Sequence, residues 1–266
     1  MSRQEYPIIV GGCHRSGTTL VRRILNAHSG IYCGAEIKFF RDFYGDYFDD
    51  PLRRLRFIES ARHALPDDEL FTLLGSAFVA LHERAAVIAG KRRWADKNPE
   101  NVLYLGQWNR LLGERWLFVH VVRNPLDTLA SIREREFPLS VPTDLEGAVE
   151  HYKRYTQAGV AYSKRKQPHC FRVQYEMLIH HPKETARHLM EWLGEELEPS
   201  QLNLPPRGDH RPAEESATAT RDEVSVDRIQ RWQKILSPDE VKYIWEETGD
   251  IWKEIDPDNT CGLSLP

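Results

Sequence analysis

The chain has 266 residues, a formal net charge of −4 at pH 7, and 41% hydrophobic and 29% charged residues. This composition is ordinary for a soluble globular protein, and the length suits a single α/β domain over residues 1–266, although two would also fit. The acidic balance argues against a general nucleic-acid binder, which needs a basic excess to neutralise phosphates. The four cysteines have neither metal-ligand nor disulfide spacing, so no metal site is predicted.

Apolar runs alternate with amphipathic stretches along the chain. The strand-like runs cover residues 8–10, 31–33, 93–96, 116–122 and 171–174. Predicted helices cover residues 19–28, 67–89, 98–112, 125–137, 143–166 and 182–193, and Ser237 opens another. This alternation predicts a mainly parallel central sheet with helices on both faces. Residues 195–226 form a long segment rich in Pro, Glu and Thr, which predicts a loop that covers the site.

The first strand leads into a glycine-containing loop, Gly12-Cys13-His14-Arg15-Ser16-Gly17, followed by a helix start. Such a loop directs backbone N–H groups and the positive end of a helix at one anion. Gly12 and Gly17 have the spacing of a nucleotide-triphosphate P-loop, but Thr18 stands where that loop has lysine. The sequence therefore predicts a P-loop-like three-layer sandwich whose anion carries less charge than Mg-triphosphate.

A second anion motif follows the most apolar strand. That strand ends at Arg123, and Ser131 comes eight residues later in the next predicted helix. An arginine leaving a buried strand is costly unless it is paired, so an anionic partner is expected, either a ligand phosphate or a buried carboxylate.

With these two motifs the sequence resembles the sulfotransferases that use 3′-phosphoadenosine 5′-phosphosulfate (PAPS). Arg15-Ser16-Gly17-Thr18-Thr19 resembles their 5′-phosphosulfate loop, and the strand ending at Arg123 resembles their 3′-phosphate motif. Likeness to the tyrosylprotein sulfotransferase branch shows in Cys33-Gly34-Ala35-Glu36, Asp96-Lys97-Asn98-Pro99 and Tyr175-Glu176-Met177-Leu178. The resemblance covers about the first two thirds of the chain, and residues 216–232 match more loosely.

The resemblance implies a role for each matched residue. Glu36 is the expected general base, Arg15 is expected where charge develops, and Lys97 is expected to bridge the leaving oxygen and the sulfuryl group. The implied cofactor residues are Arg15, Ser16, Gly17, Thr18, Thr19, Arg123, Ser131, Arg135 and Tyr175, with Ser216 and Arg231 as weaker matches.

Histidines offer a rival base, because many other sulfotransferases use one. His120 is expected to be a hydrogen-bonded core residue, His28 to end a helix, and His14 to shape the loop. Glu36 therefore remains the predicted base.

The predicted function is metal-independent transfer of a sulfuryl group from PAPS to a hydroxyl of a small molecule or peptide, leaving PAP. The aromatic stretch at residues 37–50 would suit a flat acceptor, but packing of that stretch onto the core is at least as compatible with the pattern; carbohydrate or lipid acceptors come second. A P-loop kinase of a small molecule or nucleotide and a non-catalytic PAP-binding protein are the alternatives. No membrane span or signal peptide is predicted, so a cytoplasmic location is expected, and a homodimer is left open.

Overall fold

A parallel sheet forms the centre of the protein. The computed structural model describes residues 5–45, 56–134, 140–204 and 228–266. The sheet has five strands in the order β2-β3-β1-β4-β5, and all neighbours pair in parallel. The strands are β1 (Ile8–Gly12), β2 (Ile31–Cys33), β3 (Arg93–Lys97), β4 (Leu117–Val122) and β5 (Cys170–Gln174). The predicted P-loop-like α/β fold is confirmed.

Hydrophobic clusters cover both faces of the sheet. In β1, Ile9 belongs to one cluster while Ile8 and Val10 belong to the other, as the twofold alternation of a strand requires. The central strand β4 shows the same division, with Phe118 on one face and Val119 on the other. Burial on both faces explains why these strands are almost continuously apolar in sequence.

The helices cover the two faces and connect the strands. They are α1 (Thr18–Ala27), α2 (Phe39–Tyr44), α3 (Arg56–Arg62), α4 (Asp67–Ile88), α5 (Leu105–Leu112), α6 (Pro125–Arg133), α7 (Leu145–Arg165), α8 (Tyr175–His180), α9 (Pro182–Leu193), α10 (Pro199–Leu202) and α11 (Pro238–Ile255), with 3-10 turns at Pro99–Leu103, Gln167–His169 and Arg231–Lys234. The long predicted helices are confirmed, but the one expected at 98–112 divides into a 3-10 turn and α5. It divides because Tyr104, between them, leaves the helical conformation with φ −113° and ψ 25°.

Two predicted helix ends have the expected geometry. Gly194 ends α9 in the left-handed conformation with φ 80°, which glycine adopts without strain. At the start of α11, Ser237 and Glu240 form a reciprocal capping box. Both helix ends are therefore set by the capping residues that the sequence analysis identified.

The first part of the predicted covering loop lies on α1. The Gln201 side chain donates to the Ile24 carbonyl at 3.0 Å, and the Ser200 hydroxyl donates to the Ala27 carbonyl at 2.9 Å. These contacts are on the C-terminal half of α1, the end opposite the glycine-containing loop. Residues 195–204 therefore do not cover the glycine-containing loop. Residues 205–226 lie outside the described part of the chain.

Among the described residues, α4 is long and apolar enough to cross a membrane by length and composition alone. The sequence predicts no membrane span, and α4 meets only the criteria of length and composition for one. This helix was predicted at residues 67–89, and its apolar residues are spread around it: Phe71 and Phe78 pack in the core, whereas Leu73 and Ile88 are exposed. The cytoplasmic location stays a prediction.

Candidate active site

Each of the five strands delivers one predicted site residue at its carboxyl end. β1 leads to Arg15, β2 leads to Glu36, and β3 ends at Lys97. β4 is followed directly by Arg123, and β5 is followed directly by Tyr175. Because all strands are parallel, these ends share one edge of the sheet, which is the edge where open α/β sheets bind ligands.

The loop between β1 and α1 is bent into an anion-binding shape. Arg15 and Gly17 both have positive φ, 68° and 100°, and the Ser16 N–H donates to the Cys13 carbonyl at 3.1 Å. A Cβ atom at Gly17 would lie 2.4 Å from the Tyr175 ring, so only glycine fits. The buried Ser16 hydroxyl has no hydrogen-bond partner in the part of the chain that the structure describes.

The two predicted anion motifs meet in space. Arg15 Nε donates to Ser131 Oγ at 3.0 Å, although the two residues are 116 positions apart. Arg123 Nη1 donates to the Arg15 carbonyl at 3.2 Å. The first motif is therefore held directly by both residues of the second, so the two could bind parts of one ligand.

Arg123 is buried but not paired with a carboxylate among the described residues. Its Nη2 atom donates to the Arg228 carbonyl at 2.6 Å, and its guanidinium carbon lies 4.5 Å from the centre of the Tyr175 ring. Its Nε atom has no hydrogen-bond partner among those residues. Glu176, the buried carboxylate nearby, accepts instead from the Asn124 backbone and side chain, both at 2.9 Å. The unpartnered Nε atom and the lack of a direct ion pair among the described residues favour the ligand-phosphate interpretation over the buried-carboxylate one.

Glu36 and Lys97 form an ion pair beside the loop. The Lys97 side chain is fully buried, and its Nζ atom contacts Glu36 Oε1 and, at 3.3 Å, Thr19 Oγ1. Lys38 Nζ approaches Glu36 Oε2 at 3.8 Å. Lys97 therefore connects the predicted base with the first turn of α1.

Behind this pair lies a buried polar cluster that the sequence analysis missed. His14 Nδ1 is 3.1 Å from His151 Nε2, and His14 Nε2 is 3.7 Å from Glu100 Oε1. Arg41 Nη1 donates to the same Glu100 oxygen at 2.7 Å. Burial, followed by the charge of His14, lowers the pKa of His151 to about 2. No spacing or motif marks these residues, because four separate segments contribute them.

The remaining predicted residues fall into two groups. Arg231 Nη2 donates to Glu134 Oε1 at 2.7 Å, just beyond the helix that carries Ser131. Arg135 and Ser216 lie outside the described residues.

His28 and His120, two of the histidines considered as alternative bases, have structural positions that involve no proton transfer. His28 caps the C-terminus of α1, as predicted. His120 is fully buried, but neither ring nitrogen has a partner among the described residues, so the expected hydrogen bond is wrong. Burial lowers the pKa of His120 to about 3, which keeps the ring neutral. The His120 ring stacks on Phe118 and lies against Gly159 of α7, and this packing encloses its polar atoms.

The aromatic stretch after Glu36 is mostly core. Phe40 and Phe43 are buried and pack against the Phe71 ring, with centroid distances of 6.3 and 5.4 Å. Tyr44 is 39% exposed. The core-packing interpretation is the right one for the two buried rings, so they do not form an acceptor wall.

The fold and the paired anion motifs define a P-loop-like α/β protein with an anion site next to a carboxylate–lysine pair. A model of the sulfotransferase family matches residues 7–199, about three quarters of the sequence. The chain belongs to the sulfotransferase family, and it is an enzyme of sulfuryl transfer. The kinase and non-catalytic alternatives are thereby set aside.

Individual relatives agree with this assignment. A Caenorhabditis briggsae protein named as a candidate protein-tyrosine sulfotransferase is 23% identical over 251 residues, covering 91% of this chain and 86% of its own length. The sulfotransferase domain of a Synechococcus olefin synthase superposes with a TM-score of 0.66 at 17% identity, covering 98% of this chain and 95% of that domain. A mouse sulfotransferase in complex with PAP superposes with a TM-score of 0.53 at 13% identity, covering 98% and 89% of the two chains. At these identities the structural matches establish the fold.

Proposed function

We propose that the protein transfers the sulfuryl group of PAPS to a hydroxyl of a peptide or small molecule, with Glu36 as general base. The observation that carries this proposal is the junction of the two anion motifs, where Arg15 bonds to Ser131 and is held by Arg123. Two motifs that meet would suit a nucleotide with phosphates at both its 5′ and 3′ positions. The mouse relative of the same fold was solved with PAP, which has this pattern.

The residues present fit such a nucleotide. Ser16 Oγ and Arg123 Nε are buried polar atoms without partners among the described residues, and phosphate oxygens would satisfy both. The N-terminus of α1 and the loop N–H groups supply further donors for an anion. We call residues 13–19 with Arg123 and Ser131 the donor half of the site.

We call Glu36, Lys38, Lys97 and Glu100 the acceptor half of the site, in which Glu36 and Lys97 are the proposed reacting groups. When bound, PAPS supplies an activated sulfuryl group on a phosphate leaving group. The acceptor oxygen forms its bond to sulfur as its proton passes to Glu36, and the electron pair of the broken S–O bond stays on the phosphate oxygen. Lys97, which already contacts Glu36 and Thr19, is placed to stabilise that negative charge together with Arg15.

The acceptor is proposed more broadly than the donor. The name of the Caenorhabditis relative favours a tyrosyl hydroxyl in a peptide. Phe40 and Phe43 are buried, so they do not support the aromatic acceptor wall that the sequence suggested. Turnover of radiolabelled PAPS with tyrosine peptides, phenols, sugars and lipids would identify the class. Exclusive turnover of glycans or lipids would contradict a peptide or small-molecule acceptor.

Ligand-dependent stability tests the donor independently of the acceptor. PAP without added metal should stabilise the fold, by about 2.7 kcal/mol at 100 times its dissociation constant. Mg-ATP serves as the control and should stabilise weakly, because Thr18 replaces the P-loop lysine. Greater stabilisation by Mg-ATP than by PAP would contradict the proposal.

A further inference from the structure

Glu100 is the common partner of the segments that carry the three proposed catalytic residues. Its Oε1 atom accepts from Arg41 at 2.7 Å and lies 3.7 Å from His14 and 3.8 Å from Lys38. His14 directly precedes Arg15, and Lys38 lies two residues after Glu36. Glu100 itself follows Lys97 by three residues in the 3-10 turn Pro99–Leu103.

This carboxylate is charged although it is buried. Only 4% of Glu100 is exposed. Burial by itself raises the pKa of Glu100, but the hydrogen bond and charge of His14, with the charges of Lys38 and Arg41, hold it well below its usual range. A buried carboxylate with these neighbours attracts the cations Lys38 and Arg41 and lies beside His14, and it thus keeps the segments together.

Lys38 connects Glu100 to the proposed base. Its Nζ atom is 3.8 Å from Glu36 Oε2 and 3.8 Å from Glu100 Oε1, so it stands between two carboxylates. On its other side, Glu36 is paired with Lys97. Without the charge of Glu100, Lys38 would lose one of the two carboxylates that hold it beside Glu36.

We propose that Glu100 is a positioning residue for sulfuryl transfer, which places Lys38 at the base Glu36 and fixes the loop of Arg15 through His14. This inference rests on the proposed function, because it takes Glu36, Arg15 and Lys97 as the reacting groups. Glu100 does not itself contact the reacting atoms. It sets the geometry and the electrostatic field in which they act.

A matched control is available in Glu195. This residue is also buried and pairs with two arginines, Arg92 and Arg93, on the far side of strand β3 from its catalytic end. Replacing either glutamate with glutamine removes one buried negative charge from a group of basic side chains. The two variants should therefore lose comparable stability, whereas only Glu100→Gln should alter the reaction.

The first test is kinetic. Glu100→Gln should lower kcat at least tenfold with little change in PAP affinity, and Glu195→Gln should leave kcat within about twofold. The acidic limb of the kcat/KM profile should move to lower pH in Glu100→Gln, because Lys38 and Lys97 then face Glu36 without the opposing charge of Glu100. A loss of stability with unchanged kcat and pH profile would reduce Glu100 to a structural residue and overturn the proposal.

A double-mutant cycle tests the route through Lys38. If Glu100 acts through Lys38, adding Glu100→Gln to Lys38→Met should cost much less than it costs in the wild type. Fully additive losses in kcat would contradict this route.

The second test needs no turnover. In the ligand-free protein, Glu100→Gln should raise hydrogen–deuterium exchange several-fold in residues 13–17 and 36–41, whereas Glu195→Gln should leave both segments unchanged. Equal exchange in the two variants would overturn the positioning role. If the wild type does not turn over PAPS with any acceptor, the proposed function fails. The difference in hydrogen–deuterium exchange between the two variants still decides whether Glu100 holds residues 13–17 and 36–41 in place.

Discussion

The donor half and the acceptor half of the site both lie at carboxyl ends of parallel strands, but they carry their charges differently. In the donor half, Arg123 bonds to backbone carbonyls and Arg15 to a serine hydroxyl. In the acceptor half, the two carboxylates lie beside lysines, and Glu100 is further paired with Arg41.

This difference predicts what substitutions will do in each half. Arginines whose hydrogen bonds go to backbone carbonyls and a hydroxyl can also bind an anion that arrives from solution, so changes there should appear in ligand affinity. A cluster whose charges are matched internally holds its own geometry, so changes there should appear in rate and stability. The predictions below test that division, beginning with the largest effect.

Replacing the proposed base should give the largest loss. Glu36→Gln preserves the size of the side chain but cannot accept the proton, so kcat should fall by about 10²–10⁴-fold. PAP affinity, measured by calorimetry, should be nearly unchanged, because Glu36 belongs to the acceptor half. Near-normal turnover across pH would assign proton transfer to another group.

Removing the cation of the second anion motif should affect affinity instead. Arg123→Ala should weaken PAP binding by about 2–5 kcal/mol, because a desolvated charge pair is lost. A nucleotide analogue without the 3′-phosphate should lose much less in the same titration. Arg172→Ala, on the neighbouring strand β5, is the control and should bind both nucleotides like the wild type; equal losses for both nucleotides in Arg123→Ala would place Arg123 in the core.

Acid should destabilise the fold through two buried histidines, one of which contacts His14 of the donor half. Folding lowers the pKa of His151 to about 2 and that of His120 to about 3, from 6.5. As pH falls below 6.5, the unfolded chain binds protons that the folded chain does not, so each histidine removes about 1.4 kcal/mol of stability per pH unit.

Urea unfolding between pH 7 and pH 5 measures this slope. His120→Leu should remove about half of it, because one of the two depressed groups is gone. His188→Gln, a change at an exposed histidine, should leave the slope as it is. An unchanged slope in His120→Leu would contradict a neutral, buried His120.

Loss of the bond between the two motifs should give the smallest effect. Ser131→Ala removes the 3.0 Å contact with Arg15 Nε, and PAP affinity should fall by about 1 kcal/mol, or about fivefold. Ser76→Ala, at an exposed serine of α4, is the control. A loss in kcat without a loss in affinity would move Ser131 from the donor half to the acceptor half.

The structural features that could be predicted from the sequence are those that depend on consecutive residues. The five strands, the loop from Gly12 to Gly17, the capping box at Ser237 and the αL end at Gly194 depend on apolar runs and on backbone conformations that specific residues favour. The position of Glu36 after β2 and of Arg123 after β4 followed from the same runs, because a strand end is visible in sequence.

Side-chain partners were not predictable in the same way. His120 was expected to find a hydrogen bond, and the packing of strand β4 against the core left it none among the described residues. Phe40 and Phe43 follow the proposed base in sequence, yet their side chains on α2 are buried in the core. Helix α4 was predicted, but which of its apolar residues are buried depends on the elements that pack against it: Phe71 and Phe78 are buried, whereas Leu73 and Ile88 are exposed.

The sequence by itself determined where strands and helices lie along the chain, the anion-binding loop, and the residues that follow each strand. These features could be predicted because backbone propensity and hydrophobic periodicity are local properties. Only the tertiary structure decided that Arg15 meets Ser131 across 116 positions and that Glu100 gathers His14, Lys38 and Arg41 around one oxygen. Such contacts depend on the sheet order β2-β3-β1-β4-β5, which places distant strand ends side by side. Short-range sequence patterns do not determine the order of strands in the sheet. That order decides which charged side chains meet at the site.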